Sequence, residues 1–437
     1  MKITPLEAWL SRSIVTNGTG LSRERIEAFQ LAKLRETISW AKARSPFYRE
    51  YLAGLSREDL GGLEALSRFP FTTAEDIRRQ PLRFLCVSQS EVSRVVTLQT
   101  SGTTGEPKRV FFTIDDQERT IDFFHHGMST LAGPGMRVLI LLPGTVPGSV
   151  GDLLVKGLER LGAVGVPHGP VREASKTLEV MVKERIDTLV GIPTQVLSLA
   201  RSSAGKAAPR SVLLTADHVP DAVSKELRRL WGCEVFTHYG MTEMGFGGGV
   251  ECEAGKGYHL READLYVEIV DSGTGKAVSE GNLGEVVFTT LTRRGMPLIR
   301  YRTGDVSRFV PGTCPCGTVL KTLARVKHRL RSIRSIAQGG WLSMTDLDEA
   351  VFPLEGVLDF SACLVRSQGI DCLRIEAQTM VPDNQQGVIA IQGALSVIPV
   401  IRSALEKGAL SLDVSLLPKG QTVKRDTAKR VLLDLRD

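Results

Sequence analysis

Long hydrophobic runs are missing from this sequence. No apolar stretch approaches the ~18 residues a membrane span needs, so no membrane segment is expected. The opening residues, Met1-Lys2-Ile3-Thr4-Pro5, show no charged segment leading into an apolar one, so no secretory leader is expected either. Internal repeats and low-complexity tracts are absent. Cysteine is sparse: seven residues, an odd and mostly scattered set, point to a reducing, cytoplasmic setting rather than a disulfide framework. Charge of one sign is not in excess. Lys plus Arg number 55 against 49 Asp plus Glu, a net of +6 spread along the chain, which argues against a nucleic-acid face and suits a cleft for a small polyanion. A Walker-type phosphate loop is also lacking, because no GK[ST] stands at the required spacing.

What is present is an ordinary globular composition, 42% hydrophobic and 24% charged, in 437 residues, which is enough for two or three domains. Residues 1–60 read as helical. Ile26 to Ala41 repeats apolar residues at three- and four-residue steps, and Pro46-Phe47-Tyr48 breaks that helix. Thr73 reads as an N-cap with Asp76 three residues on. From residue 115 to 237, short apolar strands alternate with helices, which predicts an α/β fold with a mainly parallel sheet. From Gly257 the pattern becomes β-rich, with strands expected at 258–260, 265–270, 284–290 and 306–310. Residues near 329–333 suit a hinge. Strands near 359–366 and 372–378 and a helix near 384–406 suit a small α+β lid. The expected organisation is therefore an N-terminal domain over 1–328, its β-rich part at about 250–328, and a mobile C-terminal lid over 329–437.

Four constellations carry chemistry. The first is Thr100-Ser101-Gly102-Thr103-Thr104-Gly105, followed by Lys108, between two candidate strands. Glycines let the backbone approach a ligand, successive N–H groups form an anion nest, and the hydroxyls and lysine add donors. It reads as a phosphate-holding loop or as a hydroxyl-rich hairpin with no ligand. The second, Tyr239-Gly240-Met241-Thr242-Glu243, puts a carboxylate at a strand end, where it can share Mg²⁺ with a polyphosphate or simply mark a strand-to-turn junction. The third, Tyr301-Arg302-Thr303-Gly304-Asp305, offers an aspartate for two ribose hydroxyls, or a turn whose Asp caps its own backbone. The fourth, Cys252, His259, Cys314 and Cys316, supplies four tetrahedral N/S ligands or a set of unlinked thiols. His125 and His126, beside Phe123 and Phe124, read either as part of an acyl pocket or as ordinary helix residues, and the second reading is favoured.

Taken together in this order, TSGTTGxPK, YGxTE and YRTGD resemble the adenylate-forming superfamily, and within it the phenylacetate-CoA ligase-like enzymes. The resemblance runs well over residues 45 to 330 and is supported by Phe69-Pro70-Phe71-Thr72-Thr73, Glu251-Cys252-Glu253 and Gly312-Thr313-Cys314-Pro315-Cys316-Gly317. It implies that a small carboxylic acid, an aromatic one by expectation, attacks ATP to give an acyl-adenylate and pyrophosphate, and that coenzyme A then takes the acyl group. By position, Thr100 to Gly105 and Lys108 hold the β,γ-phosphates, Thr242 meets the α-phosphate, and Glu243 holds Mg²⁺. Asp305 and Arg329 hold the ribose. Tyr239, leading into Gly240 and Met241, flanks the adenine, and Thr215-Ala216-Asp217 stands where the family has its adenine loop. The family's zinc-bearing members imply structural Zn²⁺ at the Cys/His set.

The resemblance thins at the C-terminus. Asp426-Thr427-Ala428-Lys429-Arg430-Val431 carries Thr427 where the family has its reactive lysine, leaving Lys424 and Lys429 as the nearby cations. The hinge reads His328-Arg329-Leu330-Arg331, without the family's acidic residue. Three readings follow: a ligase using coenzyme A, an adenylating enzyme serving an amine, hydroxyl or carrier protein, or a nucleotide-binding relative without catalysis. The sequence leaves room for a homodimer and does not name the acid, though the glycine-rich run Gly245-Phe246-Gly247-Gly248-Gly249 is open enough to admit a flat ring, which favours an aromatic one.

Overall fold

The computed structural model describes residues 1–15, 20–98, 106–203, 205–330, 332–336, 340–367, 369–381, 385–418, 421–423 and 429–436. The chain divides into two compact units. The first holds Met1–Val138, Pro143–Pro167 and Phe236–Val326, and the second Leu139–Leu142, His168–Val235 and Lys327–Asp437.

The first unit is built on the helix Arg23–Arg44. Ser22 accepts a hydrogen bond from the Arg25 N–H and caps its start. Ile26, Gln30, Leu34, Thr37, Ile38 and Ala41 form its buried stripe. Leu34 and Ile38 are wholly buried, each worth roughly 1.5–3 kcal/mol. The helix stops before Pro46, as its sequence requires, and Ser45 caps the next helix, Pro46–Tyr51. The predicted Thr73–Asp76 capping box is present at the start of Ala74–Arg79.

Fully buried Tyr48 ties three segments together. Its hydroxyl lies 3.1 Å from the Thr72 hydroxyl and accepts from the Ile299 N–H at 2.9 Å. The Phe69-Pro70-Phe71-Thr72 stretch is thereby docked, with Thr72 bridged to Tyr301. Arg300 is buried beside it. Its guanidinium donates to Glu268 at 3.0 and 3.1 Å and to the carbonyls of Ser67 and Phe69 at 3.0 and 2.8 Å. A buried guanidinium this fully satisfied fixes the chain on both sides of it.

Leu265–Val270, Gly284–Thr290 and Tyr301–Ser307 form antiparallel pairs. Gly249–Glu251 pairs with Tyr258–Leu260 and with the His238–Tyr239 end of Glu234–Tyr239. One expectation is corrected here: the strand expected over 306–310 runs over Tyr301–Ser307, so the YRTGD run lies inside a strand. Glu285 faces Val306 and Val287 faces Arg302, leaving Val286 alone opposite Thr303, Gly304 and Asp305. Gly304, at φ +73°, takes the left-handed conformation that lets this bulge form without ending the strand.

In the second unit, Thr188–Gly191 and Ser211–Leu214 are parallel, and the Leu141 N–H donates to the Val190 carbonyl at 2.8 Å. Helices Ala174–Lys183, Pro193–Ser202 and Asp221–Trp231 alternate with these strands, the α/β pattern read from the sequence. Residues 327–436 add a hairpin, Ile333–Ile336 with Gly340–Ser343, where the sequence suggested only a hinge. They also add a long hairpin, Val357–Ser367 with Ile370–Thr379, flanked by the parallel strands Leu432–Asp434 and Leu410–Leu416. The single helix expected at 384–406 is two, Gln385–Ser396 and Pro399–Glu406, bent by 99°. Pro399 cannot donate the N–H that a continuous helix needs.

The C-terminal segment and residues 200–222 of this unit are joined by polar contacts. Arg201 donates to the carbonyls of Val357 and Phe352. Glu349 accepts from the Asp221 and Ala222 N–H groups at 2.6 and 2.9 Å, capping Asp221–Trp231. Among the described residues, no single helix is long and apolar enough to cross a membrane.

Candidate functional site

Residues 99–105, and with them Thr100, Ser101, Gly102, Thr103, Thr104 and Gly105, lie outside the described residues. The strands on either side, Arg94–Leu98 and Lys108–Phe112, pair antiparallel with Leu98 opposite Lys108. That register fixes Lys108 at the start of a strand whose far end, Val110 to Phe112, is buried.

Lys108 and Glu243 meet in the first unit although 135 residues separate them. Glu243 sits in a one-turn helix, Thr242–Met244, directly after Glu234–Tyr239. Gly240 makes the turn between them. A Cβ there would come within 2.5 Å of the Phe246 carbonyl and 2.8 Å of the His238 ring. The Lys108 ammonium pairs with Glu243 Oε1. The Tyr301 hydroxyl donates to the same oxygen at 3.1 Å and lies 3.3 Å from Lys108 Nζ. Burial drives the Glu243 carboxyl upward, but the Lys108 charge and the hydrogen bonds from Lys108 and Tyr301 outweigh it and hold it below the usual range. The result is a buried carboxylate, 4% exposed, kept ionised beside the Lys108 ammonium.

Tyr301 opens the third constellation in the sequence but has no role assigned there. An aromatic opening a YRTGD run reads as core, and only the strand register shows that its hydroxyl reaches Glu243. At the other end of that strand, Asp305 Oδ2 accepts from the Tyr239 hydroxyl at 2.9 Å. The bulge is tightened by Thr303, which donates to the Val286 carbonyl at 2.6 Å and accepts from the Asp305 N–H at 2.9 Å. The Tyr239 ring stacks on Tyr258, centroids 5.7 Å apart. Met241 and Thr242 stand between Tyr239 and Glu243 in sequence, both partly buried.

Other candidates fall in the second unit. Thr215 is buried and its N–H donates to the Gly191 carbonyl at 3.0 Å. Ala216 takes a left-handed φ of +70°, a strained turn for a residue with a Cβ. Asp217 accepts from the Arg430 N–H at 2.9 Å and from the His218 N–H at 2.8 Å. Arg329 lies in the two-residue strand His328–Arg329, and Lys429, partly buried, precedes Arg430. Lys424 and Thr427 lie outside the described residues.

One pocket expectation changes. The glycine-rich run at 245–249 is expected to admit a flat ring. Gly247 is instead filled by Phe123, whose ring carbons would stand 2.1 and 2.4 Å from a Cβ there. His126 is a structural residue: it stacks on Trp9 at 5.3 Å and accepts from Arg12 at 2.6 Å. With Nε2 accepting, its Nδ1–H donates to the Asp122 carbonyl at 2.8 Å.

Cys252, His259, Cys314 and Cys316, all buried, bring their ligand atoms within 4.8 Å of one another. His259 Nε2 lies 3.3 Å from Cys252 Sγ and 3.5 Å from Cys316 Sγ, and Cys252 and Cys314 sulfurs are 3.7 Å apart. Burial keeps the imidazole neutral, down to about 4, and pushes the Cys252 thiol up to about 12. Three soft sulfurs and one neutral nitrogen converging on a point are a donor set suited to a tetrahedral cation, which would also reverse the cost of ionising the thiols.

Residues 76–291 match the family model described as AMP-binding enzyme. The chain is 29% identical over 444 residues to a phenylacetate-coenzyme A ligase of Thermus thermophilus, covering 95% of this chain and 98% of that protein. It is 28% identical to the enzyme of the same name from Escherichia coli, over 82% of this chain and 83% of that one. Its fold is that of a 2-hydroxyisobutyryl-CoA ligase solved in the postadenylation state with R3-HIB-AMP (TM-score 0.79, 20% identity, 95% of this chain and 90% of that one). A buried lysine–carboxylate pair, an aspartate aimed by a strand bulge, and this likeness along almost the whole length agree: residues 76–291 form an AMP-binding enzyme domain, and the chain as a whole is similar to the phenylacetate-coenzyme A ligases.

Proposed function

We propose that the protein activates a small carboxylic acid, aromatic by the likeness to its relatives, and passes the acyl group to coenzyme A. The carrying observation is the buried Lys108–Glu243–Tyr301 cluster, a fixed positive charge beside a carboxylate that stays ionised. The acid is already ionised at neutral pH and needs no general base. Its oxygen attacks the α-phosphorus of ATP, the bond to the pyrophosphate oxygen breaks, and pyrophosphate leaves. Lys108 and the hydroxyls of residues 100–104 would neutralise the departing phosphates, and Thr242 would meet the α-phosphate. Displacement at phosphorus depends chiefly on such fixed charge and in-line placement. Glu243, a hard oxygen donor kept ionised, suits Mg²⁺, which when bound would spread the phosphate charge. Asp305, oriented by Tyr239, would accept both ribose hydroxyls, with Arg329 as second contact and Thr215-Ala216-Asp217 along the adenine. In the second step the coenzyme A thiolate attacks the acyl carbon and AMP departs. The segment 329–437 would act as the lid, with Lys424 or Lys429 as the cation nearest the reacting carboxylate in place of the lysine that Thr427 replaces.

Acid-dependent ATP–pyrophosphate exchange over a panel of aryl and alkyl acids tests the first step. Exchange with at least one acid, followed by thioester when coenzyme A is added, is the expected result. Exchange with no thioester would move the acceptor to an amine, hydroxyl or carrier protein. No exchange with any acid would leave only nucleotide binding.

Structural Zn²⁺ at Cys252, His259, Cys314 and Cys316 belongs to the same proposal. All four donors are protein groups, so the ion would brace the β-rich part and take no part in the reaction. The purified protein should hold about one zinc per chain by elemental analysis. Cys314→Ser should lose the metal and lower the melting temperature. A metal-free wild type with the same melting transition would overturn the assignment. Seven unpaired thiols, six of them buried, accord with a reducing, cytoplasmic location.

A further inference from the structure

Lys108 and Glu243 belong to different elements of the first unit, and their separation must be held by something other than their own attraction. The loop after Gly284–Thr290 carries Arg293, whose residue is 8% exposed. Its Nη1 donates to the Glu243 carbonyl at 2.7 Å and its Nη2 to the Phe111 carbonyl at 2.8 Å. The guanidinium carbon lies 4.3 Å over the Phe112 ring, whose plane stacks in turn with Phe246 at 5.5 Å. One end of the fork therefore grips the turn that carries the carboxylate. The other grips the strand that starts at Lys108.

The loop itself is anchored independently. The Arg294 N–H donates to Asp116 Oδ1 at 3.2 Å, and its carbonyl accepts from Trp40 Nε1 at 3.1 Å. The Gly295 carbonyl accepts from the Cys86 N–H at 3.0 Å. Gly295 is needed there, because a Cβ would stand 2.7 Å from Asp116 Oδ2. The guanidinium thus reaches the site from a fixed base.

We infer that Arg293 is a positioning residue of the nucleotide site, a planar brace that sets the spacing between the Lys108 ammonium and the Glu243 carboxylate. A guanidinium can hold two carbonyls in one plane; a lysine ammonium at that depth reaches only one of them at a time. The inference rests on the reading that these two residues serve phosphates and their metal. Groups that orient a metal-holding carboxylate shift metal affinity by about 10–100-fold when changed, and displacements near 1 Å cost about 10²-fold in rate.

The test compares wild type with Arg293→Lys and Arg293→Met. Melting temperature, calorimetric binding of ATP with and without Mg²⁺, and the kcat and KM of ATP–pyrophosphate exchange are measured for each. Arg293→Lys keeps the charge and one hydrogen bond and is expected to stay folded. Its Mg²⁺-dependent gain in ATP affinity should fall about tenfold and its exchange kcat about 10²-fold, with the KM for the acid unchanged. Arg293→Met should show the same pattern more strongly. A folded Arg293→Lys with wild-type Mg²⁺ dependence and kcat overturns the inference and leaves the proposed function standing. A melting loss with neither of those changes makes Arg293 a structural residue only and also overturns it. A wild type that binds no ATP in the calorimeter removes the functional reading itself, a result distinct from both.

Discussion

Replacing Glu243 with glutamine will lower acid-dependent ATP–pyrophosphate exchange by about 10²–10³-fold, the loss seen when one preorganised electrostatic contact to developing charge is removed. The amide oxygen can still accept from Tyr301 and Lys108, so the geometry of the cluster survives while its negative charge does not. Two consequences separate this from a packing defect. First, the Mg²⁺ concentration needed for half-maximal exchange should rise, because the hard anionic donor is gone. Second, without the carboxylate's repulsion of the phosphates and its hold on Lys108, ATP without metal should bind at least as well as to wild type. Stopped exchange assays and calorimetry on the folded variant check both. A variant with wild-type exchange and unchanged Mg²⁺ dependence would show that Glu243 serves only to neutralise a buried lysine.

Arg430→Met will destabilise the second unit by about 3–5 kcal/mol, the cost of leaving buried charge unpaired. Its side chain, 4% exposed, donates to Asp348 Oδ1 at 2.6 and 3.2 Å and to Asp359 Oδ1 at 2.5 Å. Its backbone N–H serves Asp217, and Phe352 and Phe360 cover the guanidinium. Three carboxylates thus surround one cation. Burial, set against the attraction of Arg430 and reinforced by Asp217 and Asp359, pushes the Asp348 carboxyl up to about 7. Arg430 keeps its charge, because its three acidic neighbours outweigh the burial that opposes it.

This gives the stability a pH dependence of definite sign. A carboxyl raised from 3.8 to about 7 on folding contributes stability that is complete below about pH 4 and is lost as pH rises through about 7. Between those limits the folded chain holds the extra proton, and stability falls by up to about 1.4 kcal/mol per pH unit. Asp348→Asn should remove that slope, measured as the difference from wild type in urea unfolding at pH 5 and pH 8, which cancels other groups. The double variant Asp348→Asn, Arg430→Met should be less destabilised than the sum of the two single changes, since each removes a partner of the other. Equal slopes in wild type and Asp348→Asn would show that the proton is held elsewhere.

How much could be read in advance differs from element to element. The Thr73–Asp76 capping box and the break at Pro46 were legible, because both depend on residues three or four apart in the chain. The two helices within 384–406 were not separated, because the apolar pattern runs on across Pro399 and hides the break. Tyr301 and Arg293 gave no signal. Their importance lies in what their polar ends reach, the carboxylate and the carbonyl of Glu243, 58 and 50 residues away. The glycine-rich run at 245–249 misled because an absent side chain marks room that something will fill, and at Gly247 the phenyl ring of Phe123, from the helix Ile114–Met128, fills it.

The order of the motifs, their hydroxyls, carboxylates and thiols, and the α/β alternation were determined by the sequence alone, since each depends on side-chain type and short-range spacing. Tertiary structure decided which of those groups meet. It placed Lys108 on Glu243, aimed Asp305 by a bulge around one glycine, gathered three sulfurs and an imidazole from two distant segments, and set one guanidinium among three carboxylates. The physical reason is the same in each case: charge becomes chemically useful only where burial removes water from around it, and burial is a property of contacts made far along the chain.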